Sequence, residues 1–150
     1  MTSVDTNLLF YAYNVAAPQH EAAFAWMSGL LREDDVAISE LVLAEFYRLL
    51  RNPSVLKAPL SGEEAVEIIQ AYRSHPRWRL IGFPLESRPL HDALWQLARR
   101  NDFAFRRPYD ARAALTMTAQ GVTDFATVNV KDYEGLGFRR VWNPLLPAAN

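Results

Sequence analysis

Short apolar runs alternate with longer amphipathic segments along this whole chain, and that alternation constrains its fold most. "TSVDT" reads as a first strand, followed by a helix from about Asn7 with Thr6 as its N-cap. "PQHEAAFAWMSGLL" reads as a helix with Phe24, Met27, Leu30 and Leu31 on one face. "DDVAIS" is a second strand. It runs into the helix "ELVLAEFYRLLRN", with Ser39 as cap and Pro53 as terminator. "SGEEAVEIIQAYRSH" opens with Ser61 and Glu64 at capping-box spacing. "WRLIGF" is a third strand, and "ESRPLHDALWQLARRN" and "PYDARAALTMTAQG" are helices. Pro108 starts the latter helix and Gly121 stops it. "TDFATVN" and "FRRVWNP" complete the series as strands four and five.

Alternation of this kind predicts an α/β fold: a parallel sheet with helices on both faces. A length of 150 residues is that of one domain, so residues 1–150 are read as a single unit. Half the residues are apolar and 22% are charged, which is a globular composition. There is no cysteine, which excludes a disulfide framework, a thiolate metal site and a cysteine nucleophile. No stretch approaches a membrane span, and no basic region precedes the first apolar run, so no signal peptide is expected. The expected location is the cytoplasm. The net charge of −1 means that any attraction for nucleic acid must be local.

In open parallel sheets, ligands bind beyond the C-terminal ends of the strands. Asp5 ends strand one, Asn129 ends strand four, and Ser39 leads into the helix that carries Glu45. A carboxylate placed like Asp5 costs free energy unless it is compensated. Glu45 lies four residues after Leu41 and four before Leu49, so the three share a helix face within a stripe that includes Val42, Phe46 and Leu50. It is either a site residue or the partner of Arg48 or Arg51. Asp110 sits in the first turn of its helix, where the dipole alone would favour it. Ala111, Ala113 and Ala114 would let that helix lie close to a neighbour. Asp124 and Asn129 bracket strand four on the order of 16 Å apart, so only one can serve the site. Asn129 is at the edge of Asp5. Thr127 shares its face, and Asp132 follows in the next loop.

Crowded carboxylates raise one another's pKa, and a divalent cation is the usual remedy. Oxygen ligands favour Mg²⁺ or Mn²⁺. Such ions activate water and clamp phosphodiester oxygens, so the chemistry expected is metal-assisted phosphodiester hydrolysis.

"SVDTNLLFYAYN", "LVLAEFYRLLRNP", "YDARAALTMTAQG" and "TDFATVNVKDYEG…FRRVWNPL" together resemble the motifs of PIN-domain ribonucleases, and more narrowly of VapC-type toxins of bacterial toxin–antitoxin pairs. The resemblance runs to about Pro144. It implies an α/β/α sandwich around a central parallel sheet of four to five strands. It maps the family's acids onto Asp5, Glu45 and Asp110, and its last polar position onto Asn129, with Thr127 and Asp132 beside it. Asn129 stands where the family often has an aspartate. Asp5 and Asp110 are the implied direct metal ligands, with Glu45 acting through water or as base. Thr6 and Asn7 are expected to turn the chain and hydrogen-bond the edges of the site. The implied partners are an RNA substrate, a cognate antitoxin as a separate chain, and a second copy in a homodimer.

Two other classes are weighed against this one. A degenerate PIN-like module would bind RNA or protein without chemistry, and Asn129 keeps that open. An aspartyl-phosphate phosphatase or phosphotransferase would want a second aspartate two residues after Asp5, where Asn7 stands.

His20, His75 and His91 form no metal motif, and the glycines form no nucleotide-binding loop. Trp26, Tyr47, Trp78, Trp95 and Trp142 read as core or dimer packing. "ARRNDFAFRRPYDAR" is the densest basic stretch and interleaves Arg106, Arg107 and Arg112 with Phe103, Phe105 and Tyr109. It is read as RNA contact, against an ordinary exposed helix end and loop.

Overall fold

The computed structural model describes residues 1–147. The single unit expected over residues 1–150 includes three residues outside that range. The elements are β1 (Thr2–Val4), α1 (Thr6–Tyr13), α2 (His20–Leu30), β2 (Val36–Ser39), α3 (Glu40–Leu50) and α4 (Gly62–Arg73). They continue with β3 (Arg79–Ile81), α5 (Ser87–Ala98), α6 (Arg107–Ala119), β4 (Asp124–Ala126), α7 (Val130–Tyr133) and β5 (Arg140–Trp142).

All five strands are parallel, in the order β3-β2-β1-β4-β5. Thr2 lies opposite both Val36 and Asp124, which sets the register of the central strand. Successive strand residues point to opposite faces. Val4, Val36, Ile38 and Ala126 pack with Leu8, Leu9, Met27, Leu43, Phe46 and Leu50 from the first helices. Ala37, Ile81 and Phe125 pack on the other face with Leu94, Ala111, Ala114 and Met117. The result is the expected α/β/α sandwich. No helix among the described residues is long and apolar enough to cross a membrane.

Local chemistry sets most element boundaries. Ser39 caps α3 by accepting from the Leu41 N–H, and Ser61 and Glu64 form the reciprocal capping box of α4. Asp5, not Thr6, caps α1: its carboxylate accepts from the Thr6 N–H, and Thr6 is already helical. On α2 the inward residues are Ala23 and Met27, one turn apart, while Phe24 and Leu31 face solvent. Trp26 and Trp142 meet edge-on and Trp78 is buried, but Trp95 stands outward on α5.

Strand four is shorter than expected. It ends at Ala126, and Asn129 lies beyond it, before the one-turn helix α7 that holds Asp132. Thr127 still donates its N–H to the Trp142 carbonyl, and its hydroxyl then accepts from the Asn129 N–H, a local bond that turns the chain away from the strand direction after Thr127. Asp124 sits at the opposite edge, paired with Arg139 at 2.7 Å.

Candidate active site

The chain order of the strands reverses between β1 and β4, which lie side by side. Such a switch point opens a crevice beyond the strand ends. Asp5 follows β1 there and Thr127 follows β4, so both are placed by the central pair of strands.

Asp5 is buried and held by three close donors, with a fourth at longer range. The Thr6 N–H donates to Oδ1 at 2.8 Å, the Asn7 Nδ2 to Oδ2 at 2.7 Å, and the Thr127 hydroxyl to Oδ2 at 2.6 Å. Asn7 also donates to Thr127 Oγ1 and accepts from the Val128 N–H, which ties the two strand ends together.

Glu45 faces this crevice from α3. The buried stripe of that helix runs through Val42, Leu43, Phe46 and Leu50. Leu41, Glu45 and Leu49 form the adjacent, partly open face, so Glu45 is not inside the apolar stripe as its spacing suggested. Both open readings of Glu45 meet here. It lines the cleft and accepts from the Thr6 hydroxyl at 3.1 Å, and it also lies 3.6 Å from Arg48. Arg51 instead donates to the Tyr47 hydroxyl.

Asp110 enters from the first turn of α6, which sits close to the sheet because Ala111 and Ala114 are fully buried. The Tyr133 hydroxyl stands 3.5 Å from both Asp5 Oδ1 and Asp110 Oδ1, at the limit of a hydrogen bond to each. Asp5, Thr6, Asn7, Glu45, Asp110, Asn129, Asp132 and Tyr133 line one cleft of about 260 Å³, with Phe10, Tyr11 and Leu49. A second lobe shares Asp5, Glu45, Asp110 and Tyr133 and extends to Tyr109 and Arg112.

Burial pushes the Asp5 carboxyl up to about 6, against the Thr127 and Thr6 hydrogen bonds, and Glu45 and Asp110 add to the rise. Asp110 is raised by burial, then by Asp132 and Glu45. Burial and the same carboxylates push the Tyr133 phenol upward, so it stays a protonated donor. Mutual repulsion and an all-oxygen donor set fit a hard divalent cation, which Asp5 and Asp110 could hold. Among the described residues, no three acid or imidazole side chains already stand together as an ion cage. Mg²⁺ keeps several of its waters, so two carboxylates are a sufficient protein contribution.

The basic segment is divided by its surroundings. Arg112 reaches the second lobe of the cleft, and Arg106 is exposed beside the Phe105 ring. Arg107 donates to the backbone carbonyls of Asp132 and Glu134 and so braces α7.

Tyr133 is the site residue that sequence reasoning missed. Its signal was "NVKDY", where Asn129 and Tyr133 stand one helical turn apart, but only if that stretch is helix. The three histidines lie outside the cleft.

The PIN domain family model matches residues 3–133. The chain is 46% identical to Ribonuclease VapC24 of Mycobacterium tuberculosis over 145 residues, which is 97% of each chain. Its fold matches the crystal structure of Mycobacterium tuberculosis VapC20, described as a sarcin-ricin loop cleaving toxin. There the TM-score is 0.60 with 20% identity, covering 83% of this chain and 87% of that one. It also matches VapBC2 from Rickettsia felis bound to a DNA fragment from their promoter. There the TM-score is 0.64 with 20% identity, covering 95% and 97%. The two solved structures show the shared fold, while the family model and the near-full-length identity to VapC24 go further: this chain belongs to the PIN-domain family, in its VapC group.

Proposed function

We propose that this protein is a divalent-metal-dependent endoribonuclease and the toxin of a toxin–antitoxin pair, acting in the cytoplasm. The observation that carries the proposal is the meeting of Asp5, Glu45 and Asp110 at one crevice, with Asp5 buried and its pKa raised. A relative so similar in sequence that is named a ribonuclease supports it.

Mg²⁺ or Mn²⁺ held by Asp5 and Asp110 would supply an acidified water and charge neutralisation at the phosphodiester. Thr6, Asn7 and Thr127 fix the Asp5 carboxylate by the hydrogen bonds above, so its oxygens need not reorganise during the reaction. Glu45, on the open wall, accepts a proton from the attacking water or orients it. Asn129 and Asp132 offer polar groups from the other wall. A small antitoxin would cover this crevice, and a second copy of the chain would complete a homodimer.

Purified protein should cleave RNA with Mg²⁺ or Mn²⁺ and stop with EDTA, and Asp5→Asn should abolish cleavage while the protein stays folded. Undiminished cleavage by that variant would sink the assignment. The rival reading, a module that binds without chemistry, draws on Asn129 as a weaker donor than an aspartate. It expects no cleavage and no Mg²⁺ binding by calorimetry.

A further inference from the structure

Two large aromatic rings stand in solvent, one lining the acidic cleft and one four residues before it in the chain. Tyr109 is 72% exposed and Phe105 is 88% exposed. Each has an arginine against its face: Arg112 lies 5.8 Å from the Tyr109 centroid and Arg106 lies 5.6 Å from that of Phe105. Tyr109 and Arg112 line the second lobe of the cleft together with Asp5, Glu45 and Asp110. The neighbouring pair differs. Phe103 packs against the core and Arg107 is committed to backbone carbonyls. Arg100, further upstream, is paired with Asp102.

Exposing rings of this size gains the fold nothing, since burial is what makes them stabilising. The electrostatics point the same way. The floor of the cleft is anionic and repels a phosphodiester, so cations on the rim must hold the strand. Arg48, on the α3 side, is engaged with Glu45, whereas Arg106 and Arg112 make no ion pair among the described residues. A ring stacks on a nucleobase only when that base is unpaired, and an arginine beside it meets the adjoining phosphate.

We infer that Tyr109–Arg112 and Phe105–Arg106 form a track for single-stranded RNA. Tyr109 stacks on a base next to the phosphate that enters the cleft, with Arg112 on the backbone. Phe105 and Arg106 hold an adjoining nucleotide further out. The inference rests on the nuclease reading and deepens it by naming the residues that hold the substrate strand at the cleft.

The test is fluorescence anisotropy with a labelled single-stranded RNA of mixed sequence and with the same RNA annealed as a duplex. The full chain carries Asp5→Asn throughout to prevent turnover. Tyr109→Leu should weaken single-strand binding roughly five- to a hundredfold, and Tyr109→Phe should restore it. Arg112→Gln should lower the slope of log affinity against log salt by about one. Duplex binding should be weaker and indifferent to Tyr109. Undiminished single-strand binding by Tyr109→Leu, or an equal loss for duplex and single strand, overturns the track and leaves the rim to a protein partner. Wild type that binds with this pattern yet never cleaves the same RNA in Mg²⁺ supports the track and removes the nuclease reading.

Discussion

The Thr127 hydroxyl donates to Asp5 Oδ2 at 2.6 Å, joining residues 122 positions apart in the chain. The same oxygen accepts from Asn7 Nδ2 at 3.1 Å and from the Asn129 N–H at 3.0 Å. One fully buried hydroxyl therefore fixes the carboxylate, the start of α1 and the turn into α7. Thr127→Val keeps the shape but leaves two donors unmatched, a loss of about 1–3 kcal/mol by thermal or denaturant unfolding. It also removes a hydrogen bond that lowers the Asp5 pKa. The acid limb of the cleavage pH profile should then move to higher pH in Thr127→Val and stay in place in Thr127→Ser.

Tyr133→Phe separates packing from chemistry. The ring lies 4.6 Å from Phe125 and is buried, and the phenylalanine keeps that contact. What is lost is the donor between Asp5 and Asp110. A hydrogen bond to a charged group is worth about 1.5–3 kcal/mol, so cleavage should fall on the order of ten- to a hundredfold if the bridge positions both acids. The melting temperature should change little. Wild-type kinetics in this variant would mean that the hydroxyl only fills space.

The fold was largely legible in the sequence because short apolar runs mark the strands and capping residues mark the helix starts, as Ser39 does between β2 and α3 and Ser61 before α4. The acids were legible by position: Asp5, Glu45 and Asp110 stand where strand ends and helix faces bring chains together. What was not legible depended on tertiary contacts. The chain turns away after Thr127 because its hydroxyl accepts from the Asn129 N–H. Tyr133 becomes a bridge only because a single turn of helix, too short to show periodicity, aims it back at Asp5. The outward set of α2, with Phe24 exposed, follows from the packing of α2 against α1, which buries Ala23 and Met27, not from hydropathy.

Adding a divalent ion should stabilise the protein through Asp5 and Asp110, two of the acids that line the cleft. A ligand that binds only the folded state adds about 2.7 kcal/mol at a hundred times its Kd. Mg²⁺ or Mn²⁺ should therefore raise the melting temperature of the wild type, and EDTA should reverse the gain. Asp5→Asn and Asp110→Asn should each abolish the response, whereas Asp124→Asn, at the far edge beside Arg139, should keep it. An equal response in all four proteins would place the ion elsewhere.

The raised pKa of Asp5 makes its ionisation unfavourable for folding, and the pH window follows from the two limits. The carboxyl titrates near 3.8 when unfolded and at about 6 when folded. Between those values the folded state binds more protons than the unfolded one, so stability falls as pH rises through the window and is level above it. Asp110 is shifted in the same direction and adds to the slope. Asp5→Asn removes the larger part. Each pKa unit corresponds to about 1.4 kcal/mol, so the shift is worth about 3 kcal/mol over the whole window, of which the variant should gain about 2 kcal/mol relative to wild type between pH 4 and pH 7. Part of that gain at pH 7 is offset because an amide presents one acceptor where the carboxylate met the Thr6 N–H, Asn7 and Thr127. The change with pH is free of that offset, since the amide does not titrate. Denaturant midpoints of both proteins, measured in chelator across this range, should converge in acid and separate towards neutrality. Parallel curves would show that Asp5 ionises in the fold as easily as in water, and that neither burial nor the neighbouring carboxylates penalise its charge.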